Sequence, residues 1–492
     1  MSVAAPDRLV DVDAVEVPAA GRAPVGAGKT FRAYDPDQVL LMSPVLHDWL
    51  PDGDLAHFVN DLVETGALDL SAIYADYVDE RGFPPYDPRL MVKLLVYGYA
   101  VGVMSSRKLE AATHRDIALR MLCADQHPDF RSIGRFRKRH LDALAGLFVD
   151  ALRLCRAGGL VGLGALALDG TKLRANASRH KAMSYERMGP KADTLEAEIA
   201  EIRVRMDAML KDAEAVDLVE DSQYGPDLRG DELPAELKRR EDRVAVIREA
   251  MAVLEAEARA AETERRAQMA AEGKTPRPPR DGRDPFAPKP KAQRNFTDPD
   301  SRIMKTSDGS YHQCYNGQAI VDSVTQVILA ADAFDMAADC PLLDPMLDQL
   351  DENLAAIDAE LPQDATLVAD AGYFSDENVA SAGAHGLDAY IATGRLRHED
   401  PPPPPLHDPL PENATPKQRM AFKTKNKPGH GIYARRKAIV EPVFGQMDTT
   451  QDAKALKLRG RHAAQMQWIF QCAVHNLHKL HRNGGMALIP SG

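Results

Sequence analysis

Leu166-Ala-Leu-Asp-Gly-Thr171 constrains this chain more than any other stretch. An apolar run that stops on an aspartate, with glycine and threonine after it, reads as a buried strand bringing a carboxylate to the rim of a sheet. Two later segments repeat the idea. Thr366-Leu-Val-Ala-Asp370-Ala-Gly-Tyr373 is a second strand ending on aspartate, and Tyr433-Ala-Arg-Arg-Lys-Ala-Ile-Val-Glu441 sets a glutamate inside a basic helical segment. Metal-dependent phosphodiester cleavage needs two divalent ions about 4 Å apart, held by a few carboxylates of which one bridges. The expectation is that Asp169, Asp370 and Glu441 meet in space and hold two Mg²⁺ ions, with Mn²⁺ as a substitute. An aspartate at a strand end is also a common cap or turn former, so the argument needs all three carboxylates in this element order.

The stretch after Asn176 abandons sheet patterning. Leu195, Ile199, Ile202, Met206 and Met209 step by four and three, as do Val244, Ile247, Met251, Leu254 and Ala258. Those are heptad seams flanked by Glu and Arg, separated by the turn formers of Asp221–Gly230. They predict an antiparallel coiled-coil hairpin over about 190–268, followed by a Pro-rich linker from Gly273 to Lys291. Strand patterns resume at Tyr315–Asp322, Val327–Ala331, Ala365–Ala369 and Asp388–Ala392, with helices over Pro341–Ala356 and Asp376–Gly383. A long Pro-rich loop is read from Pro401 to about His430, and a last helical block starts near Tyr433. The fold class is therefore α/β: a mixed-sheet catalytic domain of the ribonuclease H type, interrupted by the hairpin and preceded by an all-α domain. The expected divisions are a tail at 1–30, a helical DNA-binding domain at 31–160, the catalytic domain at 161–180 and 292–482, the insertion at 181–291, and a tail at 483–492.

The net charge of −12 and a pI near 5.7 argue against a nucleic-acid partner when taken globally. The distribution argues the other way. Arg107 to Arg139 holds nine Lys/Arg against four Asp/Glu, and Lys423 to Arg461 holds ten against three. Two basic patches can thus track a phosphate backbone. In the first, short helices at Ser106–Thr113 and Asp116–Cys123 precede a basic helix from Arg131, an order that suits a helix-turn-helix-like reader. Its candidate DNA contacts are Arg107, Lys108, Arg131, Arg135, Arg137, Lys138 and Arg139; in the second patch they are Tyr433, Arg435, Arg436 and Lys437. A plain solvated basic face is the competing reading.

Other features are weaker. Gly26-Ala-Gly-Lys-Thr30 resembles the end of a phosphate-binding loop, but Ala23 stands where the first glycine belongs. His475, His478 and His481 step by three, a spacing that winds around a helix, so packed and solvated histidines are expected rather than zinc. The five cysteines include no C-x-x-C pair, which argues against a disulfide framework. No apolar run reaches the roughly 20 residues of a membrane span, and the N-terminus lacks a signal-peptide pattern, so a cytoplasmic, nucleoid-associated protein is expected.

Several motifs are similar to those of bacterial insertion-sequence transposases with an Asp-Asp-Glu triad, in particular the eleven-eighty-two type. They are Ala167–Ala177 around Asp169, Phe296-Thr-Asp-Pro-Asp-Ser-Arg302, Tyr315-Asn-Gly-Gln-Ala319, Asp370-Ala-Gly-Tyr-Phe-Ser375 and Val440-Glu-Pro-Val-Phe-Gly445. Tyr86-Asp-Pro-Arg89, Gly102-Val-Met-Ser-Ser-Arg107 and His127-Pro-Asp129 match the N-terminal helical domain of such enzymes. The resemblance covers nearly all of 31–482. It implies that Asp169, Asp370 and Glu441 are the catalytic triad and that Tyr433 and Arg436 precede the glutamate in their usual places, with the arginine helping to hold DNA. It also implies binding of double-stranded DNA at inverted repeats and at the target, strand cleavage and transfer, and at least a homodimer when two ends are synapsed. One position departs from the pattern. The family usually has Lys or Arg seven residues after the glutamate, and here it is Asp448, with Lys454 and Lys457 as candidate substitutes. The alternatives are a catalytically inactive DNA-binding remnant and a ribonuclease H-like nuclease with another substrate.

Overall fold

Aspartates start several of the N-terminal helices. Their side chains accept amide hydrogens that a helix leaves unpaired in its first turn. Asp54 takes the Ala56 amide ahead of α1 (Leu55–Glu64). A short α2 (Ser71–Tyr74) follows, and Asp87 takes Arg89 ahead of α3 (Pro88–Ala100), with Pro88 in the first turn. After α4 (Ser106–Arg115), Asp116 caps α5 (Ile117–Leu122), and Asp129 caps α6 (Phe130–Arg139) through Arg131 and Ser132. α7 (Leu141–Ala157) ends the series. This computed structural model describes residues 45–77, 84–177, 182–220, 232–271, 273–277, 282–394 and 410–489. The expected tail with Gly26–Thr30, the Asp221–Gly230 turn and the Pro401–Pro405 run lie outside those residues. No helix among the described residues is long and apolar enough to cross a membrane.

The strands among the described residues are β1 (Ala165–Arg174), β2 (Ala182–Ser184), β3 (Gln293–Asn295), β4 (Arg302–Lys305), β5 (Tyr311–Asp322), β6 (Ile328–Phe334), β7 (Thr366–Ala369) and β8 (Asp388–Ile391). The main sheet runs β4-β5-β1-β7-β8, and β6 shares with β4 the outer edge of β5. β1 is antiparallel to β5 and parallel to β7, which is parallel to β8. This is a mixed α/β architecture with β1 near its centre, where Leu166, Ala167 and Leu168 are fully buried. The short β4 went unread in the sequence, as did the β2–β3 pair.

Two long helices, α8 (Tyr185–Glu220) and α9 (Glu232–Ala271), stand between β2 and β3. Met188, Ala192, Leu195, Ile247, Ala250 and Leu254 form a core of their own, separate from the main one. Ion pairs join Glu196 to Arg248 and Arg203 to Glu241, so partner numbers fall on α9 as they rise on α8 and the helices run antiparallel. β2 and β3 pair antiparallel at the base, where the chain leaves and re-enters the sheet region.

α10 (Leu343–Ala356) and α11 (Asp376–Ala384) flank β7 in sequence. The loop expected up to His430 is corrected in part. Its described end holds α12 (Pro416–Lys425) and α13 (Lys427–Ala434). Thr415 and Gln418 make a reciprocal capping box and Asn426 caps α13, signals that the neighbouring prolines obscured. α14 (Arg436–Gln451) and α15 (Arg461–Arg482) complete the chain.

α15 is the pillar of the core. Its Trp468 indole donates to the Gln318 carbonyl at 3.0 Å, and its Asn476 amide covers both backbone groups of Ile328 at 2.8 Å, closing part of the β6 edge. Pro442 inside α14 leaves the Ala438 carbonyl without its helical donor. Gln326 Nε2 supplies one at 3.2 Å, while its own carbonyl and side-chain oxygen take His475 and Lys479 from α15. Gly102 sits at φ +78°, and a Cβ there would lie 2.7 Å from the Thr450 carbonyl, so the turn after α3 abuts α14 closely.

His475 is thus a packed histidine. Burial pushes its pKa down to about 3. The unfolded chain binds a proton near the ordinary value of 6.5 and the folded one does not, so the stability present above that pH is lost as pH falls toward 3. Urea unfolding between pH 7 and pH 5 should show a loss on the order of 2 kcal/mol from this group, and His475→Gln should remove that share of the slope.

Candidate active site and nucleic-acid face

The parallel register of β1 and β7 does the positioning. Leu168 lies opposite Ala369, so Asp169 and Asp370 come side by side. The strand expected to end on Asp169 runs on to Arg174, so Asp169 stands midway along β1, where β5 continues to pair with it, and Asp370 lies just past the end of β7. A fifth of the Asp169 side chain is exposed. Burial raises its pKa, and Asp370 raises it further, against the lowering effects of Arg436 and of the Gly170 amide at 2.8 Å. Asp370 turns the chain: its side chain accepts the Gly372 amide at 2.7 Å. A Cβ on Gly170 would lie 2.4 Å from Gln318 Nε2, so the side chain of β5 occupies the space that a larger residue would need.

Arg436, the first residue of α14, reaches Asp169 Oδ2 at 2.5 Å with its guanidinium 13% exposed. Glu441 lies exposed further along the same helix. Among the described residues no group of three or more His, Cys, Asp or Glu side chains is arranged to hold a metal. The structure therefore brings two of the three expected carboxylates together with Arg436. A third carboxylate that the sequence reading missed is close by. Asp339, just before α10, accepts from Asn316 Nδ2 at 2.7 Å, Lys172 Nζ at 3.3 Å and Gln318 Nε2 at 3.3 Å. Tyr373 is fully buried and donates to Gln318 Oε1. Burial holds its phenol well above the usual range, aided by the charges of Asp339, Asp169 and Asp370. The signal for this network was the Tyr315-Asn-Gly-Gln segment, whose polar residues sit in an otherwise buried strand.

Asp448 is paired with Lys454 at 2.9 Å, and Lys457 with Asp452 at 2.8 Å. Both lysines considered as substitutes for the usual basic residue are thus neutralised locally. Tyr433 is half-buried, and Arg435 and Lys437 are exposed.

On the N-terminal helices, Arg107, Lys108, Arg131, Arg135, Lys138 and Arg139 are exposed. Arg107 and Arg131 flank the Phe130 ring at 4.9 and 5.6 Å from its centroid, which draws the starts of α4 and α6 together. Arg139 stacks on Tyr77 and bonds Asp76. The expectation for Arg137 needs correction. It is buried, donating to the Met104 carbonyl at 2.8 Å and to Ser106 Oγ at 2.7 Å, so it ties α6 to the start of α4 and does not face solvent.

The transposase domain family DUF772 matches residues 44–139, and the transposase DDE domain family matches residues 285–477. No curated protein and no solved structure matches the chain. The helical region and the later part of the sheet region both belong to transposases, and the chain is a member of the DDE transposases of insertion sequences. Membership implies a ribonuclease H-like fold and a divalent-metal cofactor for the DDE domain. The DDE match spans Asp370 and Glu441 and begins after the α8–α9 insertion, which separates it from Asp169.

The two roles of the α6 cations separate in one experiment. Arg137→Ala leaves the Met104 carbonyl and Ser106 unpaired in the interior and should cost about 2–4 kcal/mol in urea unfolding. Arg131→Ala, at the surface, should cost less than about 1 kcal/mol.

Proposed function

We propose that this transposase cuts DNA at the terminal inverted repeats of its element and joins the freed 3′ end to target DNA. The placing of Asp169, midway along β1, beside Asp370, just past the end of β7, carries the reading. Asp370 is close enough to raise the pKa of Asp169, and two such carboxylates are hard oxygen donors that favour a divalent cation; the cation now beside Asp169 is Arg436. Asp169, Asp370 and Glu441 would hold two Mg²⁺ ions, with Mn²⁺ as a substitute. When bound, the ions would activate the attacking oxygen and stabilise the leaving one. Arg436 orients Asp169 and, with Arg435, Lys437 and Tyr433, offers a basic rim for the DNA strand. Water attack and the later attack by the 3′-hydroxyl are both in-line displacements at phosphorus, so one site serves both.

The same reading assigns residues 31–160 to recognition of the ends, and 161–180 with 292–482 to catalysis. Arg107, Lys108, Arg131, Arg135, Lys138 and Arg139 are the phosphate-contacting set, without Arg137. Two ends are synapsed by a homodimer on cellular DNA. The Asp448–Lys454 pair favours one second reading, an impaired copy that binds ends without cutting them, because it removes net positive charge two turns beyond Glu441.

The test is cleavage of an oligonucleotide carrying the inverted repeat that flanks the coding region, in Mg²⁺. Wild type should cut it. Asp169→Asn, Asp370→Asn and Glu441→Gln should each slow cutting by at least about 100-fold, the upper range for changes outside the ligand shell itself. Cleavage left intact by any of the three overturns that residue's assignment. Asp448→Lys should tighten end binding and steepen its salt dependence by about one unit of log–log slope. Silence of the wild type beside cutting by Asp448→Lys would establish the impaired-copy reading.

A further inference from the structure

Asp339 is charged, sits beside the paired aspartates, and is used by nothing in the reaction scheme above. Three donors from the central strands converge on its Oδ1: Asn316 and Gln318 from β5, and Lys172 from β1. Its Oδ2 faces the Asp370 turn, 3.2 Å from where a Cβ on Gly372 would lie. Gln318 passes the connection on, because its Oε1 accepts the buried Tyr373 hydroxyl, and Tyr373 closes the turn by donating its amide to the Asp370 carbonyl at 3.2 Å. A second tie runs through Asn378, which donates at 2.7 Å both to the Tyr373 carbonyl and to the Cys340 carbonyl next to Asp339. Asn316 is fully buried and its Oδ1 has no hydrogen-bond partner among the described residues, although it lies 3.0 Å from the ideal Cβ position of Gly170. A buried amide normally has both ends satisfied. One whose donor end is committed to Asp339 while its acceptor end faces Gly170 is held for what its donor does.

We propose that Asp339 is a positioning residue of the catalytic centre. It gathers Asn316, Gln318 and Lys172 and, through Gln318 and Tyr373, fixes the turn that sets Asp370 beside Asp169. It acts through the turn and not as a ligand. Lys172 balances its charge, so the network adds little negative charge to the site and supplies rigidity instead. The Tyr315-Asn-Gly-Gln segment acquires a task by the same argument. Its two amides are the bridge between strand β5 and both loops that carry aspartates.

This inference rests on the metal reading above, and the experiment separates the two. Mn²⁺ binding to the full chain without DNA is followed by electron paramagnetic resonance, with thermal unfolding beside it, for wild type, Asp370→Asn, Asp339→Asn, Asp339→Ala and Tyr373→Phe. Asp339→Ala should weaken Mn²⁺ binding by about 10–100-fold, and Asp339→Asn, which keeps an acceptor for two donors, by less. Tyr373→Phe removes one hydroxyl with little change of volume and should weaken it several-fold, which covers the case of Asp339→Ala failing to fold. In cleavage assays the loss should fall on kcat with KM for DNA retained. Wild-type Mn²⁺ affinity in folded Asp339→Ala or in Tyr373→Phe, with binding lost in Asp370→Asn, overturns the positioning role alone. Binding retained in Asp370→Asn overturns the metal reading and this inference with it.

Discussion

A carboxylate set midway along a central strand, just after its buried stretch, has to find a cation, because an uncompensated charge there costs several kcal/mol. Asp169 is where this transposase meets that constraint, and much of the surrounding architecture follows from the solution. The guanidinium of Arg436 must arrive at one oxygen, so α14 must start beside the middle of β1. That start is held from behind. The proline within α14 exposes a carbonyl that Gln326 takes up, and Gln326 is itself gripped by two side chains of α15. The far end of α14 rests on the Gly102 turn of the N-terminal helices. A continuous set of contacts thus runs from the helical region to the acidic pair, without a loose element between them.

The opposite edge of the pair is governed by amides and a phenol. Asn316, Gln318 and Tyr373 are polar side chains buried in the interior, and such groups are tolerated when they bond one another in fixed directions. Their directions all lead to the two loops beyond β6 and β7. The aspartates are thus held by charge on one side and by hydrogen-bond geometry on the other.

How much of this was readable beforehand depended on whether the information was local. The strands carrying Asp169 and Asp370 were legible because a short apolar run marks a buried strand, although β1 continues past Asp169 to Arg174 with polar residues that hid its second half. The heptad seams were legible because their period is written along one helix. Arg137 was misplaced although its position carried a clue: with Ile133 and Phe136 it falls on the buried stripe of α6, and composition drew attention to its charge instead. α12 and α13 were lost behind prolines, despite a capping box at Thr415. Asp339 offered nothing local, since an aspartate before a helix is ordinary. Its meaning arises only when β1, β5 and the Asp370 turn are brought together.

The small β2–β3 ribbon has a consequence for how the chain reaches this state. The central strands β1 and β5 are far apart in sequence, and closing a long loop to pair them costs entropy that grows with the logarithm of its length. The α8–α9 pair has its own core and its own ion pairs, so it can form early from nearby residues, and the ribbon then joins its two ends. The search for the β1–β5 pairing is thereby conducted over an effective loop about fourfold shorter, an advantage on the order of 1 kcal/mol. An insertion that looks like an interruption of the sheet therefore acts as a splint during its assembly.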